Sequence, residues 1–505
     1  MSLLRSSILV GLGAAASRVL GFVRDILFAQ VLGAGPVADA FLAAFRLPNL
    51  VRRITGEGGL NPALVPTLSR LDPGEAARVS GDVVSAFALA LLALTALVEI
   101  GAGLLAFLLA PGLRDDGTLA LVALYTRLGF PMVLGVTLSS VAAALLNLRG
   151  HYRATAVAPL VVNAGLIATA VALEAGTALP LADKAAWLAA ASSLSGLLQF
   201  AIVAAALLGG RRAVSFRRLR WSPFLRGLLL AGVPALVASG AVQLFILAGT
   251  QIASFWPAGI SWLYYADRVM QLPLGLMAAL AASVLLPDLA LKHRDGAAHA
   301  LVAAQNRALE LALLMALPAC LALVVLSHPI ASVLFERGAF TAADADGTAR
   351  VLASLSLGLP FATAAKVLSQ TLFARGSLRA TLVAAAAGIA VTAGASLLLG
   401  LALDMTGIAL GISLGCVAHL LTLVWFLRRI GLWRADDGLL RRVGRITAAS
   451  AVMGLGLVGA TAVLPEVGPV GLAAFCFGGL GLYAAAAALT GALTRDDVAL
   501  LTKKP

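Results

Sequence analysis

DVVSAFALALLALTALVEIGAGLLAFLLA, residues 82–110, is a run of 29 residues in which Asp82 and Glu99 are the only charges. A spanning helix needs about 20 mainly apolar residues, and this run supplies more. It decides the reading of the whole chain, because segments of the same kind recur from end to end. Of the 505 residues, 61% are hydrophobic and 12% are charged, against about a quarter charged in a soluble domain. Such a chain takes lipid as its solvent, and in lipid the backbone must satisfy itself by helices.

Working outward from 82–110, apolar segments fall at 3–32, 36–66, 118–147, 154–176, 184–209, 225–252 and 258–288. They continue at 305–328, 345–374, 378–402, 404–429, 442–464 and 468–493. All read as helices, so the expected fold class is an all-α polytopic membrane protein of about 14 transmembrane helices. Arg5 followed by Ile8 to Ala16 has the outline of a signal peptide. The apolar pattern runs on to Leu32 with charges embedded, so the segment reads as an uncleaved first helix.

The basic residues cluster in alternate loops. With the first residues inside, the cytoplasmic segments hold 25 of the 37 Lys and Arg, including six between Arg211 and Arg226 and six between Arg428 and Arg445. The opposite loops hold four, Arg114, Lys184, Arg337 and Arg350, beside Asp115, Asp116, Asp344, Asp346 and Glu466. Positive charge stays inside, so both termini are expected in the cytoplasm. The net charge of +13 is then topology plus contact with anionic membrane lipids, and no nucleic acid is called for. The stretch Trp433–Arg445, with Leu439, Leu440 and Val443 among arginines, reads as an interfacial amphipathic helix.

A weak repeat sets the domain plan. Ala38-Asp39 precedes Leu47-Pro48 and Pro66, as Ala266-Asp267 precedes Leu272-Pro273 and Pro287. Treating each as the second helix of a half gives two pseudo-symmetric six-helix lobes, 1–210 and 225–430. Residues 431–505 then form the interfacial segment and a C-terminal helix pair. Parallel repeats of this kind belong to alternating-access transporters.

Eight cations remain inside or near the membrane: Arg18, Arg24, Arg46, Arg52, Arg53, Arg127, Arg268 and Lys366. One charge at a helix centre costs about 2.5–3.5 kcal/mol against lipid, so the N-terminal group of Arg18, Arg24, Asp25, Asp39, Arg46, Arg52 and Arg53 must face water or each other. Arg18 and Asp25 are seven apart, about 20° from superposition on a helix, and so are Asp39 and Arg46; both pairs are candidate structural salt bridges. Arg46 and Arg53 can also snorkel to the interface. Arg24, Arg52 and Arg268 have no carboxylate at helical spacing, although Asp267 adjoins Arg268. A surplus of guanidinium over carboxylate suits a phosphorylated cargo. Gly33, Gly35, Pro36, Pro48, Gly56, Gly58, Gly59 and Pro62 serve either close helix packing or bending.

These blocks are familiar. Ser17 to Asp25, Gly33 to Phe41, and Phe45 to Leu50 with Arg52 resemble the MurJ (MviN) lipid II flippases of the MOP exporter superfamily. So do Gly56-Glu57-Gly58, Tyr265-Ala266-Asp267-Arg268, Gln271 to Gly275, Leu334 to Phe340, Gly358-Leu359-Pro360 and Lys366 to Ser369. The resemblance runs essentially end to end. It implies a two-lobe fold with a central cationic cavity, and a C-terminal helix pair that grooves the polyprenyl tail. It implies Arg18, Arg24, Arg52, Arg268 and Asp39 as substrate-binding residues, with Asp25 and Asp267 as charge partners. The implied cargo is lipid II, an undecaprenyl-diphosphate disaccharide-pentapeptide, flipped from the cytoplasmic to the periplasmic leaflet of the bacterial inner membrane. Cell-division and elongation proteins are the implied partners; no covalent chemistry and no cofactor are.

Two departures stand out. Phe245 and Gly249 occupy positions where many relatives carry Asn and Asp, which puts a sodium site in doubt; and Ala374 to Thr381 lacks an expected Thr-Pro. Other MOP transporters remain as alternatives. A flippase for another lipid-linked oligosaccharide shares the charge logic, whereas a drug/cation antiporter calls for a carboxylate-rich cavity. A membrane enzyme on polyprenyl phosphate calls for clustered aspartates, histidines or a metal motif. The five His are scattered, and Cys320, Cys416 and Cys476 sit in apolar runs as small hydrophobes.

Overall fold

The computed structural model describes residues 3–54, 72–114, 117–176, 178–209, 240–280, 298–374, 377–464, 467–494 and 497. These are helical almost throughout. The first part of the chain forms α1 (Leu3–Leu32), α2 (Pro36–Ile54), α3 (Pro73–Ile100), α4 (Ala102–Leu109), α5 (Thr118–Gly129), α6 (Met132–Leu148), α7 (Arg153–Gly176) and α8 (Leu181–Leu208). Then follow α9 (Ala241–Ala253), α10 (Gly259–Leu280), α11 (Ala298–Val325), α12 (Ser327–Phe335), α13 (Ala342–Ser356) and α14 (Leu359–Ala374). The last are α15 (Leu378–Arg429), α16 (Asp437–Val463) and α17 (Pro469–Leu489).

Eight helices among the described residues are long and apolar enough to cross a membrane, and α13 with α14, bent by 43°, makes a ninth. The helix that encloses residues 82–100 is one of them. The remaining expected spans differ for identifiable reasons. The 19 residues of α2 carry Asp39, Arg46, Arg52 and Arg53, too many charges for a lipid-facing helix. The segments 36–66, 225–252 and 258–288 run partly through residues outside the description.

α15 has 52 residues, which at 1.5 Å each would span about 78 Å, far more than a bilayer core of about 30 Å. It is two helices that reverse at Asp404 (φ 50°, ψ −137°). Gly407, Gly411 and Gly415 let the second half lie directly on Leu399, Ser396 and Gly388 of the first, where any Cβ would collide with them. Close backbone approach through small residues is how helices associate in lipid, where burial of apolar surface offers no net drive. α6 and α8 meet the same way, Gly135 against the backbone of Gly196.

The chain forms two compact units. The first comprises Met1–Gly240, Ser254–Ser261 and Arg337–Thr341, the second Ala241–Ala253, Trp262–Glu336 and Ala342–Pro505. In the first, α1 packs along α7, α6 and α7 pack on α8, and α2 packs on α5. In the second, α9 lies on α15, α14 on α11 and α15, and the α16–α17 pair on α11.

The expected interfacial helix at Trp433–Arg445 is not a separate element. α15 ends at Arg429, Gly431 (φ 68°) turns the chain, and Asp436 caps α16 by accepting from the Leu439 N–H at 2.7 Å. The cap hydrogen bond, with a second contribution from the Asn306 side chain, holds the Asp436 carboxyl below its ordinary range. Trp433, buried, donates its indole N–H to Asn306 Oδ1 at 2.9 Å. The arginine pattern from 437 onward is therefore the first turns of α16.

Candidate functional site

Two of the expected site arginines, one in each unit, have their side-chain contacts among the described residues. In the first unit Arg24, on α1, is 1% exposed and Asp25 2%. Arg24 Nε and Nη2 both donate to Asp25 Oδ1, at 3.0 and 2.7 Å. Its Nη1 donates to Asn163 Oδ1 of α7 at 3.0 Å. The guanidinium carbon lies 5.5 Å from the ring centre of Phe28 and 5.3 Å from that of Phe45. Phe41 stacks on Phe45 at 5.4 Å and meets Phe28 edge-on at 5.2 Å, so the cation rests on an aromatic wall supplied by α1 and α2.

This corrects the reading of spacing: Arg24 has its own carboxylate, the adjacent Asp25. Neighbouring side chains leave a helix about 100° apart, but an arginine stem is long enough to fold its fork back. In the low dielectric of a buried site the pairing is favoured over leaving either charge alone. Arg18 lies on the same helix and is exposed. Arg52 is in α2, and its side chain lies outside the described residues, as do Gly56, Gly58, Gly59 and Pro62.

Asp39 is 1% exposed. Its carboxylate accepts from Ser261 twice, from the backbone N–H at 2.8 Å and from the hydroxyl at 2.5 Å. Ser261 stands in the first turn of α10, where backbone N–H groups have no intrahelical partner, so Asp39 acts as a cap borrowed from another helix. Both bonds fall on Oδ1, so in this conformation Asp39 fixes the start of α10.

In the second unit Arg268, on α10, is half-buried. Its Nη2 donates to Tyr264 Oη at 2.9 Å and its Nη1 to Gln271 Oε1 at 3.5 Å; the guanidinium sits 4.6 Å from the Tyr264 ring centre. Asp267, 5% exposed, accepts from Gln271 Nε2 at 2.5 Å, so Gln271 bridges the two charges. Arg127 and Lys366 are exposed, and Arg127 donates to the Glu99 carbonyl at 3.2 Å.

Residues 28–476 match the family described as lipid II flippase MurJ. The chain belongs to the MurJ family. A probable lipid II flippase MurJ of Rhizobium meliloti is 37% identical over 469 residues, covering 90% of this chain and 86% of that protein. The lipid II flippase MurJ of Burkholderia cenocepacia is 31% identical over 470 residues, covering 90% and 89%. A solved lipid II flippase MurJ in an inward closed conformation superposes with a TM-score of 0.78 at 22% identity, covering 95% of this chain and 98% of that one. An inward-facing multidrug resistance MATE transporter of the MOP superfamily follows the same fold, with a TM-score of 0.68 at 16% identity over 82% of this chain and 94% of that one. A multi-pass membrane transporter fold is thus common ground.

The sodium site that some MurJ relatives build around the seventh helix does not fit the residues present here. Phe245 is fully buried and meets His419 edge-on at 5.5 Å. Its ring occupies the space a Cβ on Gly388 would need, and the space beside Gly249 is filled by Ile412. A hard cation needs several oxygens, and among the described residues a ring and a methyl group fill these two positions instead.

Nothing in the sequence marks Asn163 as a ligand of arginine. Asn163 is 139 residues from Arg24, so no spacing rule connects them. Gln271 lies one helical turn from Arg268 and was legible as a neighbour.

Proposed function

We propose that this chain carries lipid II from the cytoplasmic to the periplasmic leaflet by alternating access, and that Arg18, Arg24, Arg52 and Arg268 bind its diphosphate. Family membership carries the cargo class, and the arginines carry the site. Undecaprenyl diphosphate is an anion on an apolar tail, and guanidinium forks match phosphate oxygens in geometry as well as charge. The headgroup travels through polar surroundings while the tail stays in lipid, so no bare charge enters hydrocarbon. Arg24 is covered in this conformation and becomes a ligand when the residues over it move. The work is translocation without bond making or breaking.

Both termini lie in the cytoplasm on this reading, in a bacterial inner membrane, because the basic residues crowd the corresponding loops. The test is transport of labelled lipid II in vesicles by Arg18→Ala and Arg268→Ala at matched abundance. Each removes charge-assisted hydrogen bonds worth about 1.5–3 kcal/mol, so binding should weaken at least tenfold. Wild-type transport by both well-folded variants would end the proposal.

A further inference from the structure

Arg24 is held by one charged and one neutral acceptor, and the neutral one has no assigned role. Asn163 is 4% exposed on α7. Its amide nitrogen donates to the Ser17 carbonyl at 2.9 Å and to Ser17 Oγ at 3.3 Å, while Ser17 Oγ donates to the Pro159 carbonyl at 3.4 Å. An amide that gives both donors to Ser17 must turn its oxygen the other way, and that oxygen meets Arg24 Nη1. The side chain is thus anchored at one end and presents a fixed acceptor at the other.

We propose that Asn163 is the positioning residue of Arg24, orienting its guanidinium for a phosphate oxygen. This rests on the reading of Arg24 as a diphosphate ligand. Of the five guanidinium N–H groups, Asp25 takes one on Nε and one on Nη2, and Asn163 takes one on Nη1. One N–H on each terminal nitrogen remains, and such a pair suits bidentate recognition of phosphate. The neutrality of Asn163 matters as much as its place. With Asp25 alone, the pair carries no net charge; a second carboxylate would leave it negative and repel the diphosphate. A carboxamide steers the fork without spending any of the cation. The second unit repeats the device, since Gln271 is a carboxamide between Asp267 and Arg268.

The test is lipid II affinity of the full-length protein in nanodiscs, with thermal midpoint and membrane abundance recorded for each variant. Asn163→Leu keeps the size and removes the acceptor, and should weaken binding about tenfold, equivalent to about 1.4 kcal/mol, with the fold intact. In an Arg24→Met/Asp25→Asn background the same substitution should change affinity less than twofold, because a residue that acts through Arg24 has nothing left to orient. Equal weakening in both backgrounds, or unchanged binding by Asn163→Leu, overturns the proposal. Normal binding by the Arg24→Met/Asp25→Asn protein itself defeats instead the reading of Arg24 as a ligand. Should Asn163→Leu fail to fold, Asn163→Asp keeps the acceptor; it should fold and bind more weakly, most clearly at low salt. Wild-type affinity in a folded Asn163→Asp protein overturns the requirement for a neutral acceptor, and with it the proposal.

Discussion

Arg24→Met should destabilise the first unit more than Arg24→Met/Asp25→Asn does. The single change leaves the Asp25 carboxylate at 2% exposure after removing the cation that gave it two hydrogen bonds, at 3.0 and 2.7 Å. Breaking a buried pair by deleting one partner costs about 3–5 kcal/mol, whereas replacing the whole pair by neutral groups of similar volume is often close to neutral. The methionine still fills the space against Phe28 and Phe45, so little of the loss is cavity formation. The measurement is equilibrium unfolding in mild detergent titrated with SDS, run on both single variants and the double. Each single variant should be less stable than the double by about 3 kcal/mol. Single variants that match the double to within about 0.5 kcal/mol would refute the idea that each of the two charges is stabilised by the other. The result also governs how transport data are read. Loss of flipping by Arg24→Ala mixes folding with binding, while Arg18 and Arg268, exposed and half-buried, report on binding more cleanly.

Cysteines placed in the Arg211–Arg226 segment, which lies outside the described residues, should resist an impermeant label applied to intact cells; labelling from outside would reverse the topology. Transport at fixed membrane potential should not depend on sodium, since Phe245 and Gly249 supply no side-chain oxygen and Ile412 fills the space beside Gly249; an absolute sodium requirement would overturn this. Membrane potential remains available, at about 2.3 kcal/mol per charge per 100 mV. At one end of α11, Arg307 and Arg442 share Asp497, and Glu310 accepts from both, at 3.1 and 2.9 Å. Burial pushes the Asp497 carboxyl up, but hydrogen bonds from Thr494 and the charges of Arg307 and Arg442 outweigh it and hold the group below its ordinary 3.8. A carboxyl depressed in the folded state stabilises the fold above its unfolded pKa and ceases to do so as pH falls through the folded one. The thermal midpoint gap between the wild type and Asp497→Asn should therefore be full at pH 7 and shrink below about pH 4; an unchanged gap at pH 3 would count against the network.

What was legible in the sequence, and what was not, divides along the range of the interaction. Segments such as 82–110 declare themselves by composition, and the proline-bearing repeat at Leu47-Pro48 and Leu272-Pro273 lands inside α2 and α10. The reversal at Asp404 follows from length alone, since no helix of 52 residues fits a single crossing. Charge counting also found Arg24 and Arg268 as cations that need an explanation. Spacing then misdirected their pairing, because helical periodicity ranks candidates on the same face and ignores both chain neighbours and other helices. Asp25 lay too close to register, and Asn163 too far. The donors to Asp39 are out of reach of spacing for the same reason: the N–H and hydroxyl of Ser261 come from a helix more than 200 residues on. The Trp433–Arg445 stretch failed differently, since the arginine pattern was real but Gly431 and Asp436 were terminators that the pattern outweighed.

A surplus of arginine over carboxylate in the sequence is therefore a weaker clue than the kind of acceptor each arginine meets. A guanidinium whose remaining acceptors are carboxylates is neutralised and structural. One whose second acceptor is a carboxamide keeps its orientation while its pair adds no repulsion toward an incoming anion. Under the proposed function Arg24 with Asn163, and Arg268 with Gln271, are the cations offered to an anionic headgroup, whereas Arg307 and Arg442 are each bound to two carboxylates, Glu310 and Asp497. The latter pair fastens the C-terminal helices to α11, and their substitution should change stability before it changes affinity for lipid II.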